Sequence, residues 1–582
     1  MHGSDSHAKE QGSGGSKRLQ VLRLLFGAMA AVIVVRLFMV QVYSHGFYEA
    51  LASDARGVFE RLVPVRGEIL LRDRDGSLYP VAANRDTFTV FVEPRNVEDP
   101  EAVAAALAPI IGMPEEEILP KLAGTNLYAP VMKGVEETVA EAVRSLGKER
   151  GWRFLGLLRE PSRSYPEPGM GGHVLGFVSP DSAGERRGQY GLEGYWDKEL
   201  AGAHGFLAAE KDVVGRWIPV ADRTFIAASD GADLVLTIDR AIQFFACKEI
   251  KESVERHGAS GGSAVILDPK TGSVLAMCGA PDFDPNDYSG AEDLAVFNNP
   301  AIYSQYEPGS VMKTLTMAAA VDLGKVGPKT TYDDEGEFKI GGYTIRNSDG
   351  EAHGVQTMTE VLEKSLNTGA IFAQRSIGVE AFREYVKKFG FGQPTGIELS
   401  TESPGNLSSL DRRGEIFAAT ASYGQGITAT PIQLAAAYGA LANGGVLMRP
   451  HIIAEIHRAD GTEVREPERV REVVSARTAA LLGGMLVNVV ENGHGKSARV
   501  PGYWIAGKTG TAQVARADAQ GYEQQRTIGT FAGYGPVEDP RCVMVVRIDD
   551  PKDVQFAEST AAPAFGHIAA FVLNYLHVPT TR

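Results

Sequence analysis

Residues 307–323 read EPGSVMKTLTMAAAVDL, and this stretch decides how the rest of the chain is read. Pro308-Gly309 closes a loop and the run after it is helical in composition. Ser310 therefore falls at a helix N-terminus, with Lys313 one turn further along the same face. A serine there is commonly no more than an N-cap. A capping box, however, wants Glu or Gln three residues on, and a lysine opposes the partial positive charge of that helix end. Val311, Met312 and Leu315 add apolar surroundings. Dipole and burial both disfavour the ammonium, so the pattern predicts a lysine of lowered pKa within reach of a serine, an activated nucleophile pair. Alone the pattern is weak, because Ser-x-x-Lys recurs at Ser6–Lys9 and Ser145–Lys148 without such a context.

Two further motifs lie downstream. Ser365-Leu366-Asn367 sits between TMTEVLEK and TGAIFAQRSIG, both helical in pattern. By itself it reads more readily as a cap at a helix junction. In company with a nucleophile, one side chain can relay a proton while the other binds an amide. Lys508-Thr509-Gly510-Thr511 lies inside GYWIAGKTGTAQV, whose alternation predicts a half-buried strand. Lys508 and Thr509 there offer charge and hydroxyl to a carboxylate, and Gly510 lets a substrate backbone approach closely. A second Lys-Thr-Gly, at 270–272, falls in the turn of a predicted hairpin, SAVILDPKTGSVLAM.

Around these motifs the pattern predicts a strand in LVLTID (234–239), a helix to His257, the hairpin, and helices over 310–323, 358–377, 379–389 and 430–443. Strands at 502–514, 527–534 and 541–549 and a helix at 561–576 follow. Two strands early and three late, with helices between, predict an α+β fold in which one antiparallel sheet is closed from both chain ends and flanked by helices.

The 582 residues suggest two to four domains. A hydrophobic share of 44% and a charged share of 23% describe a globular chain, and a net charge of −15 argues against a nucleic-acid partner. Cys247, Cys278 and Cys542 are too few and scattered for a disulfide framework or a cysteine zinc site, and no ligand cluster implies a metal. Residues 1–20 read as a polar tail. Within 21–43, the run from Leu24 to Val42 would span about 28 Å as a helix, one bilayer core. Lys9, Lys17, Arg18 and Arg23 precede it and Glu49, Asp54 and Glu60 follow, which predicts a single-pass anchor with a cytoplasmic N-terminus. Residues 44–228 read as a β-rich region with an acidic helical insertion at about 98–150, and 229–576 as the catalytic domain, before a tail at 577–582.

Taken together, Ser-x-x-Lys, Ser-x-Asn and Lys-Thr-Gly in this order match the signature of penicillin-recognising serine enzymes. EPGSVMK, YGQGITATPIQLAAAYGALANGG, AGKTGTAQ, FAGYGP and IDDPK resemble segments of penicillin-binding protein transpeptidase domains. RLFMVQV, Arg66-Gly67-Glu68-Ile69 and YGLEGYWDKELAG resemble the anchor end and pedestal of class B members, and the length, FAGYGP and IDDPK resemble the division-specific FtsI type. Asp75 in place of an Asn, a lengthened RGEILLRDRDG, and Asn299-Pro300 where many members have an Arg depart from the pattern. The resemblance implies an anchor, an elongated pedestal of the dimerisation type and a β-lactamase-like transpeptidase domain, in the inner membrane with the bulk outside. It implies a D,D-transpeptidase acting on peptidoglycan stem peptides, without cofactor or metal, and trapped by β-lactams. Ser310 would be the nucleophile, Lys313 the base, Ser365 the proton relay and Asn367 the amide-orienting group. Lys508 and Thr509 would bind the terminal carboxylate, with Gly510 leaving room, and the N–H groups of Ser310 and Thr511 would form the oxyanion hole. Partners implied are a SEDS-class glycosyltransferase and division proteins. An elongation-type enzyme, a β-lactam hydrolase or sensor, and a non-catalytic scaffold are the alternatives.

Overall fold

The structure is a computed structural model that describes Met29, Ile33, Val34 and residues 57–167, 169–182, 184–210, 224–515 and 521–582. The cytoplasmic tail and the anchor predicted at 21–43 lie outside the described residues, apart from those first three. Among the described residues, no helix is long and apolar enough to cross a membrane.

The chain divides into two compact units, Met1–Val65 with Gly202–Asp230, and Arg66–Ala201 with Gly231–Arg582. In the first, Gly205–Glu210 lies between Gly57–Leu62 and Thr224–Ile226 in an antiparallel sheet.

The second unit is built on the antiparallel five-stranded sheet that the sequence predicts. Its order is Val274–Ala280, Gly261–Leu267, Cys542–Asp549, Tyr522–Gly535, Ala506–Ala515. Strand residues alternate between faces, and here both faces are covered. Ala264, Ile266, Met544 and Val546 join one core with the helices Arg240–Arg256 and Ala561–Tyr575. Val265, Leu267, Val543 and Val545 join another with Met312–Asp322, Pro431–Ala442 and Ala476–Glu491. This is why GGSAVIL and CVMVVRID are near-continuous apolar runs. Residues 312–321 are buried on every side, which holds Lys313 in the interior with the rest of its helix. The 268–272 turn is closed by the Gly272 N–H on the Asp268 carbonyl at 2.8 Å.

Three expectations need correction. The 98–150 segment has helices at Pro100–Ile111, Glu115–Leu122 and Glu137–Arg150, but also a strand, Ala129–Val135, paired with Leu78–Val92. Its Pro130 and Gly134 read as breakers in sequence, yet an edge strand tolerates both. Residues 358–377 are not one helix. Met358–Glu363 ends before Ser365, whose φ is +58, and a second helix begins at Asn367; the chain then kinks at Gly378 (φ +81, ψ 168), beyond which the predicted 379–389 helix runs to Lys388. Finally, Cys247 and Cys278 form a disulfide, Cα–Cα 5.1 Å, joining the Arg240–Arg256 helix to the strand Val274–Ala280. It is one staple rather than a framework.

Strands on either side of residue 229 share a sheet. Ile69–Arg72 pairs in parallel with Asp233–Leu236 and antiparallel with Leu78–Val92. Asp233–Leu236 pairs in turn with Ile453–Arg458.

Candidate active site

Ser310 lies in the 3-10 turn Gly309–Val311 that opens the helix Met312–Asp322. Its side chain is half-buried, and its hydroxyl has no hydrogen-bond partner among the described residues. Its N–H is in the first turn of a helix, where backbone donors lack intrahelical acceptors. Three glycines shape this turn. Gly309 has φ +59, and its N–H bonds the Gly424 carbonyl at 3.2 Å. A Cβ on Gly424 would stand 2.1 Å from the Gly309 carbonyl oxygen. A Cβ on Gly510 would stand 2.9 Å from the Pro308 oxygen and 3.0 Å from Val311 Cγ1. The turn is thus clamped between the YGQG loop and the Lys-Thr-Gly strand, and side chains at either glycine would wedge them apart.

One turn on, Lys313 is 1% exposed. Its Nζ donates to the Ser365 carbonyl at 2.5 Å and to Ser365 Oγ at 3.1 Å. Burial pushes its pKa well below the ordinary lysine value, and the nearby Lys508 charge lowers it further. Asp349, which no sequence motif singles out, acts in the opposite direction. The left-handed backbone of Ser365 breaks the chain between two helices, which places its carbonyl and hydroxyl on one lysine.

Asn367 begins the next helix. Its Nδ2 donates to the Arg346 carbonyl at 2.8 Å, and its backbone N–H to Asn347 Oδ1 at 2.9 Å. Asn347 is itself held by Asp334 Oδ2 at 2.8 Å. These supports were missed in sequence, since nothing in a chain of 20 intervening residues marks Arg346 and Asn347 as neighbours of Asn367.

Lys508 is fully buried and its Nζ donates to the carbonyl and Oγ1 of Thr509, at 3.1 and 3.3 Å. Burial lowers its pKa to about 7. Thr511 Oγ1 accepts from the Ala557 N–H at 3.1 Å, which ties the strand's far end to the segment before the last helix. Glu307, three residues before Ser310, accepts from the Gly426 N–H at 2.8 Å and from Tyr522 OH at 3.0 Å, and burial raises its pKa. Ser310, Lys313, Ser365, Asn367, Lys508, Thr509, Gly510 and Thr511 are therefore brought into one neighbourhood. A serine without a hydrogen-bond partner among the described residues, beside a buried, partly neutralised lysine pair, suits acyl transfer.

Residues 262–570 match the penicillin binding protein transpeptidase domain, and residues 61–236 the penicillin-binding protein dimerisation domain. The chain belongs to the penicillin-binding proteins. Stage V sporulation protein D of Bacillus subtilis (strain 168) is 35% identical over 554 residues, 94% of this chain and 84% of the relative. The peptidoglycan D,D-transpeptidase FtsI of Escherichia coli (strain K12) is 30% identical over 522 residues, 88% of this chain and 84% of the relative. The crystal structure of penicillin binding protein 3 from Mycobacterium tuberculosis, complexed with aztreonam, superposes with a TM-score of 0.69 at 29% identity, covering 90% of this chain and 98% of that one. This penicillin-binding protein is of class B, with a dimerisation domain and a serine D,D-transpeptidase domain.

Proposed function

We propose that this chain is the division-specific D,D-transpeptidase of its cell, cross-linking stem peptides at the septum through an acyl-enzyme on Ser310. The observation that carries the mechanism is Lys313, buried with lowered pKa, its Nζ on Ser365 one helical turn from a free Ser310 hydroxyl. Ser310 Oγ attacks the carbonyl carbon between the two terminal D-Ala residues while neutral Lys313 takes its proton. The N–H groups of Ser310 and Thr511 receive the developing oxyanion. The C–N bond breaks, the departing D-Ala nitrogen gains a proton through Ser365, and the peptide stays as an ester on Ser310. The amine of a neighbouring stem then attacks the ester, returns a proton and releases Ser310. Lys508 and Thr509 bind the terminal carboxylate, Gly510 admits the backbone, and Asn367, tethered at the Arg346 carbonyl, orients the amide.

The septal role is supported by the likeness to FtsI and by FAGYGP and IDDPK. The anchor at 21–43 would hold the N-terminus in the cytoplasm and the catalytic domain outside, where a SEDS-class glycosyltransferase and division proteins would be its partners. β-Lactams, which imitate the D-Ala–D-Ala end, would acylate Ser310.

The test is labelled penicillin followed by mass spectrometry. A stable adduct on Ser310 is expected, absent in Ser310→Ala and formed at least a hundredfold more slowly in folded Lys313→Ala. An adduct in Ser310→Ala removes the nucleophile assignment, and rapid adduct loss identifies a hydrolase instead. Depleting the protein from growing cells should give filaments. Round cells would assign it to elongation.

A further inference from the structure

A groove of about 580 Å³ lies beside the site. Two of its walls belong to elements that hold the motifs. Ile345 lies in the strand Tyr343–Arg346, whose last carbonyl takes Asn367 Nδ2. Gly426 and Tyr522 line it too, and both are bonded to Glu307, three residues ahead of Ser310. The groove is therefore an extension of the active site, and nothing in the mechanism above uses it.

Its chemistry is specific. Arg412 lines it and is exposed, with no carboxylate partner among the described residues. The acids flanking it are engaged elsewhere, Asp411 with Arg383 and Lys387, and Glu415 with Arg375. The Arg412 guanidinium carbon sits 5.5 Å from the centroid of the Phe417 ring, a cation–π contact that holds the planar fork in place. Ser409 Oγ, also in the groove, is a buried oxygen without a hydrogen-bond partner among the described residues, and a Cβ on Gly426 would stand 3.9 Å from it. Buried polar atoms are normally satisfied, so an unmet hydroxyl beside an unpaired guanidinium marks a place for a polar ligand. One fixed fork, rather than a cluster of cations, matches a single carboxylate in bidentate fashion.

We propose that this groove is a subsite for a carboxylate-bearing arm of the wall peptide, with Arg412 its specificity-determining residue. The proposal rests on the transpeptidase reading. The carboxylate can come from the donor stem, held before and during acylation, or from the acceptor stem, held while its amine attacks the ester.

The experiment uses the full chain in detergent, as wild type and Arg412→Ala. A D-Ala–D-Ala-ended donor peptide and an amine acceptor peptide are each prepared with the non-terminal carboxylate free or as the carboxamide. Acylation of Ser310 by donor and transfer to acceptor are timed separately, and acylation by benzylpenicillin is the control. Wild type should prefer the free carboxylate about tenfold in one of the two steps, and Arg412→Ala should erase that preference with benzylpenicillin acylation unchanged. Preference in acylation assigns the groove to the donor, and preference in transfer assigns it to the acceptor. Equal rates with carboxylate and carboxamide in both steps of wild type, or a preference that survives in Arg412→Ala, overturn the proposal. Failure of benzylpenicillin to label wild-type Ser310 would instead mean that the transpeptidase reading is at fault.

Discussion

Two lysines buried in one site give it a pH signature. In the folded chain Lys508 has its pKa lowered from 10.5 to about 7 by burial, and Lys313 lies well below its usual value for the same reason and because Lys508 is near. Their proposed tasks need opposite protonation states: Lys313 neutral to accept the Ser310 proton, Lys508 charged to hold a carboxylate. Penicillin acylation should therefore rise with pH as Lys313 loses its proton and fall above about pH 7 as Lys508 loses its own. Lys508→Ala should react on the order of ten- to a hundredfold more slowly and lose the alkaline limb. Its acid limb should move to higher pH, since the charge that depressed Lys313 is gone. Stability runs the other way in that window. Between about pH 7 and 10.5 the unfolded chain binds the Lys508 proton and the folded chain does not, so this group makes stability rise with pH across that window and contributes a constant penalty below it. Acylation rates from pH 5 to 10 on both proteins check this; a wild-type profile without an alkaline limb would remove Lys508 from carboxylate binding.

At the scale of elements, what is local in the chain was legible and what is assembled from distant parts was not. Near-continuous apolar runs mark the buried strands Gly261–Leu267 and Cys542–Asp549, and longer helical patterns the helices that cover them. The nucleophile turn is legible because Pro308, Gly309, Ser310 and Lys313 lie within six positions. That Lys313 donates to Ser365, 52 residues away, is not, because the junction at Ser365 reads in sequence as a local cap, and only its left-handed backbone in the fold turns its carbonyl and hydroxyl onto that lysine. The same holds for Cys247 and Cys278, 31 residues apart. Their pairing follows from the Arg240–Arg256 helix packing on the strand Val274–Ala280, a contact that spacing alone does not specify. Ala129–Val135 was hidden for the converse reason: Pro130 and Gly134 are tolerated only because the strand is an edge. Arg412 carries no motif at all, and only the fold reveals that the acids flanking it, Asp411 and Glu415, are already paired with Arg383 and Arg375.

On the scale of the whole molecule, a boundary at residue 229 suits composition better than it suits the packing. The sheet that contains Ile69–Arg72 and Asp233–Leu236 crosses it, and Leu234, Val235 and Ile69 are fully buried. Ile69, Leu71, Val81, Leu192, Trp196 and Leu200 belong to the same hydrophobic core as Met312 and Leu315 of the nucleophile helix. Nearby, Glu193, with no exposed surface, receives Arg66 at 2.5 Å and Arg163 at 2.7 Å, while Arg66 also reaches Asp197 at 2.9 Å. Glu193 also accepts from Tyr165 OH at 3.3 Å, and losing one partner of such a buried pair costs roughly 3–5 kcal/mol. A fragment of residues 231–582 would leave the strand Asp233–Leu236 unpaired along one side with its apolar side chains exposed, an invitation to edge-to-edge aggregation. It should be largely insoluble, or melt well below the fragment 57–582, and Glu193→Ala in the longer fragment should lower its stability by about 3–5 kcal/mol with Ser310 still acylated at low temperature. Thermal unfolding with penicillin labelling of both fragments decides the matter. Equal melting and equal acylation would mean that residues 66–201 are a separable pedestal, and that the shared core contributes nothing to holding the active site together.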